Sequence, residues 1–307
     1  MKWNWQQKDW PYFSYNKDLL EKLEDEFLYQ SGLLVGVYSH LSKDNKDNLI
    51  IDLLSDEALK TSEIEGEYLN RDSVQSSVKK HFGFLDANTK IPLAERGISE
   101  MMIDLYNNYA EKISNDSLGK WHLMITYGRR DIKNLGSYRS DNEAMQVISG
   151  PVHNPKIHFE APSSQNIPHE MDLFINWFNE SSPSGSTPLP PLIRAGIAHL
   201  YFVSIHPFED GNGRIARGLA VKSIADSLKN PVLGALSSVI QKNKKNYYSM
   251  LEESNKNNEI TNWLVYFAKI IIEAQKSTIL SIEFIIKKTK FFDQFNDKLN
   301  ERQKKSI

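Results

Sequence analysis

Residues 193–205 constrain the fold more than any other part of this sequence, because they are apolar almost all the way round a helix. A helix with so little polar surface is usually buried in the middle of a domain. Apolar residues also recur at helical spacings of three and four elsewhere in the chain. These segments are residues 19–28, 49–59, 98–113, 171–178 and 262–286. The last segment is long enough for one helix or two abutting helices. The pattern predicts an all-α protein.

A single stretch has the pattern of extended chain. Residues 144–148 and 156–159 are short runs on either side of Gly150 and Pro151. Two such runs around a Gly-Pro turn predict a β-hairpin, with an ordered loop as the alternative. Residues 70–90 are polar and mixed, which is typical of a join between an N-terminal helical unit and the main body.

Composition excludes several classes of function. The 307 residues include 37 basic and 39 acidic side chains, a formal net charge of −2, so we expect no bulk electrostatic binding of nucleic acid or of an anionic membrane. The absence of cysteine removes disulfides, thiolate nucleophiles and cysteine-based metal sites. No uncharged apolar run approaches the ~18 residues of a membrane helix, and the N-terminus does not resemble a signal peptide. We therefore expect a soluble, cytoplasmic protein.

A polar loop follows the apolar helix, before a second apolar run at 219–224. Its sequence from residue 206 is His-Pro-Phe-Glu-Asp-Gly-Asn-Gly-Arg-Ile-Ala-Arg. Pro207 disfavours helix at the residue before it, so the first helix should end at His206 and leave the imidazole at its C-terminal end. A histidine there is a candidate general base for a hydroxyl nucleophile.

The remainder of this loop is suited to phosphate. Gly211 and Gly213 let backbone approach a ligand closely, and the N–H groups that open the next helix favour an anion. Arg214 and Arg217 are neighbours on one helix face, where two cations repel each other unless a polyphosphate neutralises them. Asp210 is a hard oxygen ligand suited to Mg²⁺.

The adjacent Asn212 can donate its side-chain amide to a phosphate oxygen. Taken singly, a His-Pro helix end, a Gly-Asn-Gly run and two arginines at a helix start are usually a cap, a turn and ion pairs. Their combination within twelve residues, between two apolar helices, predicts a phosphate-binding catalytic loop.

Residues 206–217 resemble the Fic motif, His-Pro-Phe-x-Asp/Glu-Gly-Asn-Gly-Arg-x-x-Arg, with every fixed position matched. Residues 136–139 and 168–178 also resemble the stretch that precedes this motif. Fic proteins are mostly adenylyltransferases that move AMP from ATP onto a Tyr, Thr or Ser hydroxyl of a protein. The resemblance implies a Fic-type helical bundle in which the hairpin, about 144–160, is a flap. Such a flap aligns the extended segment of a target protein by adding a strand.

The resemblance also implies roles for residues. His206 deprotonates the target hydroxyl, Asp210 holds Mg²⁺ on the α- and β-phosphates, and the Gly-Asn-Gly run forms an anion hole. Arg214 and Arg217 hold the β- and γ-phosphates, and Phe208 is the core anchor of the motif. The nucleotide-binding set implied in this way is Phe208, Gly211, Asn212, Gly213, Arg214, Arg217, Tyr248 and Asn255. The last two match positions where relatives contact adenine.

Residues 61–66, Thr-Ser-Glu-Ile-Glu-Gly, match the inhibitory motif of the family, Ser/Thr-x-x-x-Glu-Gly/Asn. Because they precede the core, the chain resembles the class II type, whose inhibitory helix, here about 55–69, is N-terminal. The inhibitory residues are then Thr61, Glu65 and Gly66. We expect Glu65 to pair with Arg217 and to turn the α-phosphate of ATP away from attack. In some relatives the same glutamate positions the water that removes AMP.

The expected organisation has three parts. An N-terminal helical extension, 1–90, precedes a Fic core, 91–275, and a C-terminal helical segment, 276–307. In many relatives a segment like 299–303 leads into a winged-helix domain, which indicates a truncation here. We expect ATP, Mg²⁺ and a target protein as ligands and partners, with a homodimer by analogy only.

Three alternatives stay open. In the first alternative, the nucleotide donor is UTP or another phosphate-linked compound, because the motif contacts phosphates rather than the base. In the second, removal of AMP is the main activity. From another class of function, the chain is a regulatory module that uses nucleotide only as a ligand.

Overall fold

The computed structural model of the protein describes residues 2–85, 89–141, 143–151, 155–231 and 236–295. Helices dominate this part of the chain, together with one two-stranded sheet, so the all-α prediction is confirmed. The helices are α1 (Lys17–Ser39), α2 (Lys43–Ile64), α3 (Arg71–His81), α4 (Leu93–Asn107), α5 (Asn115–Ile125), α6 (Ile167–Glu180), α7 (Pro191–Ile205), α8 (Asn212–Leu228), α9 (Leu236–Lys242), α10 (Lys244–Ser254) and α11 (Thr261–Phe295). The strands are β1 (Gln146–Ser149) and β2 (Lys156–Glu160).

Helix α7 lies at the centre of the fold, as its apolar run predicts. All of its residues except Pro191 and Val203 are buried. It packs against α8, α11, α6 and α1, and the indole of Trp263 on α11 donates a hydrogen bond to the Gly196 carbonyl at 2.8 Å. Glycine is suited to this approach, since a Cβ at position 196 would lie 2.6 Å from Leu264 Cδ2. The neighbouring helices therefore fix the end of α7, where the polar loop begins.

The N-terminal end of α7 is capped by a residue of α1. Pro190 offers no side-chain acceptor there, and Glu24 Oε1 accepts hydrogen bonds from the N–H groups of Leu192 and Ile193 at 3.0 Å each. Burial raises the pKa of Glu24, and these two hydrogen bonds oppose the shift. A carboxylate at this position also complements the helix dipole. Helix α1 thus fixes the start of the central helix.

The hairpin predicted within 144–160 is confirmed, because β1 and β2 pair antiparallel. Aromatic residues near the N-terminus brace its second strand. The Trp3 ring meets the Phe159 ring edge-on, with 5.4 Å between centroids. The Trp5 indole donates to the Glu160 carbonyl at 2.7 Å. The first residues of the chain therefore hold the hairpin against the helices.

One segment differs from what the sequence predicts. Residues 70–90 include α3, which packs against α2 and α4. Its buried apolar side chains are Val74 and Val78, too few to give a clear helical period. The segment 262–286 lies in one helix, α11. Residues 299–303 lie outside the described residues. Within the described ranges, the protein has no helix with the length and apolar character needed to span a bilayer.

Replacing Glu24 by alanine should lower the stability of the fold. Glu24→Ala leaves two N–H groups of α7 without their acceptor in a buried place, which typically costs about 1–2 kcal/mol. Glu21→Ala, on the exposed face of the same helix, should stay within about 0.5 kcal/mol of wild type. Urea denaturation of the three proteins measures the difference. Equal midpoints for both variants would show that the Glu24 cap does not stabilise α7.

Candidate active site

The polar loop begins at a residue of unusual backbone conformation. Helix α7 ends at Ile205, and His206 follows with φ 52° and ψ 58°, in the left-handed region. Its N–H still donates to the Phe202 carbonyl at 3.1 Å. The helix stops before Pro207, as predicted. A non-glycine residue in this conformation costs about 1–3 kcal/mol, and such residues cluster at functional sites.

The His206 ring is in the tautomer that a general base requires. Its Nδ1 lies 3.3 Å from the Val203 carbonyl oxygen, and because a carbonyl oxygen can only accept, the hydrogen is on Nδ1 and Nε2 carries a lone pair. Withdrawal from water lowers the pKa of His206 to about 4; the bond to Val203 opposes this shift and nearby Arg139 adds to it. The imidazole is therefore neutral at pH 7 and ready to accept a proton.

Asn212 and Phe208 brace the loop from inside. Asn212 Oδ1 accepts from the Phe208 N–H at 3.0 Å, and Asn212 Nδ2 donates to the Phe208 carbonyl at 2.8 Å. The Phe208 ring is fully buried and stacks on the His122 ring, with 4.2 Å between centroids. The Asn212 side-chain amide is therefore bound to the loop backbone. The Phe208 ring lies in the core, where the resemblance expects the anchor of the motif to lie.

Arg139 holds the same loop from the other side, a role that the sequence did not reveal. Its Nε donates to the His206 carbonyl at 2.8 Å, and its N–H donates to the Pro207 carbonyl at 3.0 Å. Its Nη2 donates to the Pro162 carbonyl, just after β2. Burial lowers the pKa of Arg139 to about 10, so it remains charged at pH 7. It is a positioning residue that links the hairpin to the loop, and its place in the family-like stretch 136–139 was the available signal.

The backbone of the first turn of α8 carries no side chain at Gly213, and the Glu65 carboxylate lies against it. Gly211 precedes the helix with φ 80°, which favours glycine. At Gly213, a Cβ would lie 2.2 Å from Glu65 Oε1 and 3.1 Å from Arg217 Nη1. The Glu65 carboxylate therefore rests against the helix N-terminus, where unpaired N–H donors favour an anion. A side chain at position 213 would block this approach.

Arg217 is fully buried and bound by the end of α2. Its Nε donates to Thr61 Oγ1 at 2.8 Å, and its Nη2 donates to the Thr61 carbonyl at 2.9 Å and to Glu65 Oε1 at 2.7 Å. Burial opposes the charge, but the pairing with Glu65 outweighs it, and the net effect raises the pKa of Arg217. The structure thus contains the pair expected from the sequence. The Tyr248 hydroxyl lies 3.2 Å from the Ile64 carbonyl and 3.4 Å from Glu65 Oε2.

The turn after α2 directs two acids toward α8. Helix α2 ends at Ile64, and Gly66 follows with φ 85°. The Gly66 N–H donates to the Glu63 carbonyl and the Glu67 N–H donates to the Ser62 carbonyl, each at 3.0 Å. These bonds form a Schellman motif, which uses a left-handed residue to turn the chain out of a helix. Gly66 therefore has a structural role in this segment.

Glu67 pairs with the other arginine of the loop. Arg214 Nη1 donates to Glu67 Oε2 at 2.7 Å, and Arg214 Nη2 lies 3.5 Å from Asp210 Oδ2. The Arg214 side chain is 3% exposed and that of Glu67 is 35% exposed. Glu67 was not predicted from the sequence, because the inhibitory pattern ends at Gly66. A second acid directly after the glycine was the available signal.

Asp210 is held ionised by its neighbours. Arg129 Nη1 donates to Asp210 Oδ2 at 2.9 Å, and the Gly211 N–H donates to Oδ1 at 2.6 Å. Burial raises the pKa of Asp210, but Arg214 and these hydrogen bonds outweigh it, so the net shift is downward. An ionised carboxylate fits Mg²⁺, which is usually bound by one or two carboxylates with substrate phosphates. The described residues contain no group of three or more metal-ligating side chains, so phosphate oxygens and water would complete the coordination.

A cavity of about 690 Å³ lies between the polar loop, the hairpin and α10, within the size range of small-molecule sites. Glu65, His206 and Gly213 line one part of it, and Tyr248 and Asn255 line another. Residues of β1 and β2 complete the wall. The structure thus brings the two positions expected to contact adenine into the same cavity as the candidate base.

Two regions of the chain match the sequence profiles of known domains. Residues 112–223 match the sequence profile of the Fic/DOC family. The chain contains a Fic/DOC domain. Residues 3–84 match a separate domain of unknown function, DUF4172. Arg214 and Arg217 therefore lie in the Fic/DOC region, whereas Glu65 and Glu67 lie in the N-terminal match.

Relatives of known name cover part of the chain. The chain is 30% identical to the protein adenylyltransferase fic-1 of Caenorhabditis elegans over 145 residues. This match covers 47% of this chain and 25% of that protein. A Fic family protein from Desulfovibrio desulfuricans G20 is similar in structure, with a TM-score of 0.62 and 18% identity over 84% of this chain and 74% of that one. A Fic domain containing signaling protein from Bacteroides thetaiotaomicron VPI-5482 is also similar, with a TM-score of 0.60 and 18% identity. The similarity covers 83% of this chain and 97% of that one. The two structures show a shared fold, while the chain spans between 20% and 25% of the curated relatives.

The protonation of His206 can be measured directly. Because its pKa in the folded protein is lowered from 6.5 to about 4, the ring should stay neutral, with hydrogen on Nδ1, from pH 8 down to about pH 5. A ¹⁵N-histidine NMR titration reports both the charge and the tautomer, and His206→Gln identifies the signal. Protonation near pH 6.5, or hydrogen on Nε2, would contradict the assignment of Nε2 as the basic atom.

Proposed function

We propose that this protein transfers AMP from ATP to a Tyr, Thr or Ser hydroxyl of a target protein or of itself, and that Glu65 restrains the reaction. The observation that carries the proposal is the position of His206. Its neutral ring, with a basic Nε2, shares one cavity with the backbone of Gly213 at the start of α8. The curated relatives are named protein adenylyltransferases, which supports the same reaction.

In the proposed mechanism His206 is the general base. Its Nε2 accepts the hydroxyl proton of the target while the hydroxyl oxygen forms a bond to the α-phosphorus of ATP. The bond from the α-phosphorus to the oxygen bridging to the β-phosphorus breaks, and pyrophosphate leaves. The hydrogen bond from Nδ1 to Val203 keeps the ring oriented as it becomes charged. Positioning and charge stabilisation dominate catalysis in reactions of this kind.

Cationic groups around the loop bind the phosphates. Arg214 and Arg217 are assigned to the β- and γ-phosphates, and the N–H groups at the start of α8 are assigned to the transferred phosphate. Asp210 would hold Mg²⁺, which supplies positive charge to the phosphates when bound. Arg129 donates to Asp210 at 2.9 Å and to Asp131 at 2.5 Å. It therefore keeps a carboxylate partner if it releases Asp210.

The hairpin is assigned to the target protein. In the described part of the chain β1 has one strand partner, β2, so its other edge is available for an added strand. Lys156 and His158 of β2 contact Glu252 of α10, at 3.1 and 2.7 Å. These contacts hold the hairpin beside the cavity in which Tyr248 is assigned to the base of the nucleotide.

Glu65 restrains the reaction by occupying Arg217. While the 2.7 Å contact between them persists, the guanidinium is not available to the γ-phosphate. The Glu65 carboxylate also covers the backbone at Gly213. ATP bound under these conditions has its α-phosphorus out of line for attack by the hydroxyl.

Removing Glu65 should start transfer, and removing His206 should stop it again. Wild type, Glu65→Gly and Glu65→Gly/His206→Ala are incubated with Mg²⁺ and α-³²P-ATP, and label retained on protein is measured. We expect strong labelling of protein by Glu65→Gly, and at least about 100-fold less by the double variant, since a general base contributes about 10²–10⁴-fold. Tight ATP binding by Glu65→Gly without any labelling would instead favour the regulatory-module alternative.

Donor selectivity can be tested in the same reaction. Unlabelled ATP, UTP or GTP is added to Glu65→Gly at equal concentration with α-³²P-ATP. We expect ATP to reduce labelling most, because Tyr248 and Asn255 line the part of the cavity assigned to adenine. Stronger competition by UTP would move the donor assignment to uridine.

A second candidate is removal of AMP. It is favoured by the fact that Glu65 and His206 line one cavity, where a carboxylate can orient water toward a phosphodiester. With a target that already carries AMP, Glu65→Gly should then lose AMP release. If transfer is the main activity, the same substitution increases labelling and leaves no release to lose.

A further inference from the structure

Glu67 forms a contact that the transfer mechanism does not use. Its carboxylate binds Arg214 Nη1 at 2.7 Å, and the Arg214 side chain is almost fully buried. Asp210 is a weaker partner of the same guanidinium, at 3.5 Å. Glu67 is therefore the closest anion among the described contacts of Arg214, as Glu65 is for Arg217.

We propose that Glu67 is a second inhibitory carboxylate, which holds Arg214 and competes with the polyphosphate of the nucleotide. This inference rests on the proposed function for the identity of the ligand. Glu65 then occupies one of the two phosphate-binding arginines, and Glu67 occupies the other. Inhibition is shared between them.

The backbone after α2 makes this double contact possible. The Schellman bonds of Gly66 and Glu67 fix the turn, and the φ of 85° at Gly66 lets the chain reverse within one residue. Arg214 and Arg217 are three positions apart at the start of α8, so they lie side by side. Two acids flanking one glycine therefore meet two arginines one helical turn apart.

Charge balance explains why both acids are needed. A buried guanidinium that loses its anion is strongly destabilised. Two carboxylates neutralise the pair of arginines in the resting protein, and a triphosphate would neutralise them after the carboxylates leave. Removal of either carboxylate should therefore raise the affinity of the site for polyphosphate.

The test uses inorganic tripolyphosphate with Mg²⁺ as the probe, and calorimetry as the readout. Glu67→Gln should bind the probe about three- to tenfold more tightly than wild type, the range expected for one charge-assisted hydrogen bond that is partly exposed. Glu67→Ala should behave in the same way. Glu63→Gln is the matched control, because Glu63 lies four residues before Glu67 and contacts Lys60 of α2 and Gln241 of α9. It should bind the probe as wild type does.

The same variants are then made in Glu65→Gly and assayed for labelling with α-³²P-ATP. We expect Glu65→Gly/Glu67→Gln to show a lower KM for ATP than Glu65→Gly, with kcat changed less. If Glu65→Gly labels protein but both Glu67 variants bind tripolyphosphate like wild type, the role of Glu67 is overturned and the transfer proposal stands. If the Glu67 variants bind more tightly but no variant labels protein, the transfer proposal fails and the role of Glu67 in holding Arg214 is supported.

Discussion

The structure depends on one fully buried guanidinium. Arg217 lies on α8, next to the central helix, and its side chain is 1% exposed. A charge in such a place requires an anion and further hydrogen bonds, and the end of α2 provides both through Glu65 and Thr61. The charge of Arg217 is therefore neutralised without a ligand, because Glu65 occupies the position proposed for a polyphosphate.

The regions that match DUF4172 and the Fic/DOC family meet where the end of α2 contacts α8. The N-terminal region, 3–84, supplies the acids that face α8, the Glu24 cap of α7 and the tryptophans that brace β2. The Fic/DOC region, 112–223, supplies the candidate base, the arginines and the hairpin. In the proposed function, activity and restraint are therefore carried by different segments, and a change in how α2 packs would alter the contacts of the arginines directly.

Much of the site could be predicted because its chemistry is local in sequence. One short stretch contains the apolar run of α7, the His206-Pro207 pair and the two arginines. Their spacing along the chain determines where the first helix ends and that the arginines share one face of the next helix. The contacts that could not be predicted join distant residues. Tertiary packing sets these contacts, which join Arg214 to Glu67, Asp210 to Arg129 and Glu24 to α7. The backbone partners of the Asn212 side chain were not predicted for the same reason, since burial of a loop turns its polar groups toward each other.

In the proposed reaction, the α-phosphorus of ATP is the atom attacked. The most direct measurement incubates Glu65→Gly and Mg²⁺ with ATP labelled at either the α- or the γ-phosphate, and compares the label retained on protein. We expect the α label to be retained on protein and the γ label to be released as pyrophosphate. Retention of the γ label would show phosphoryl transfer instead, and would contradict the roles given to His206, Arg214 and Arg217.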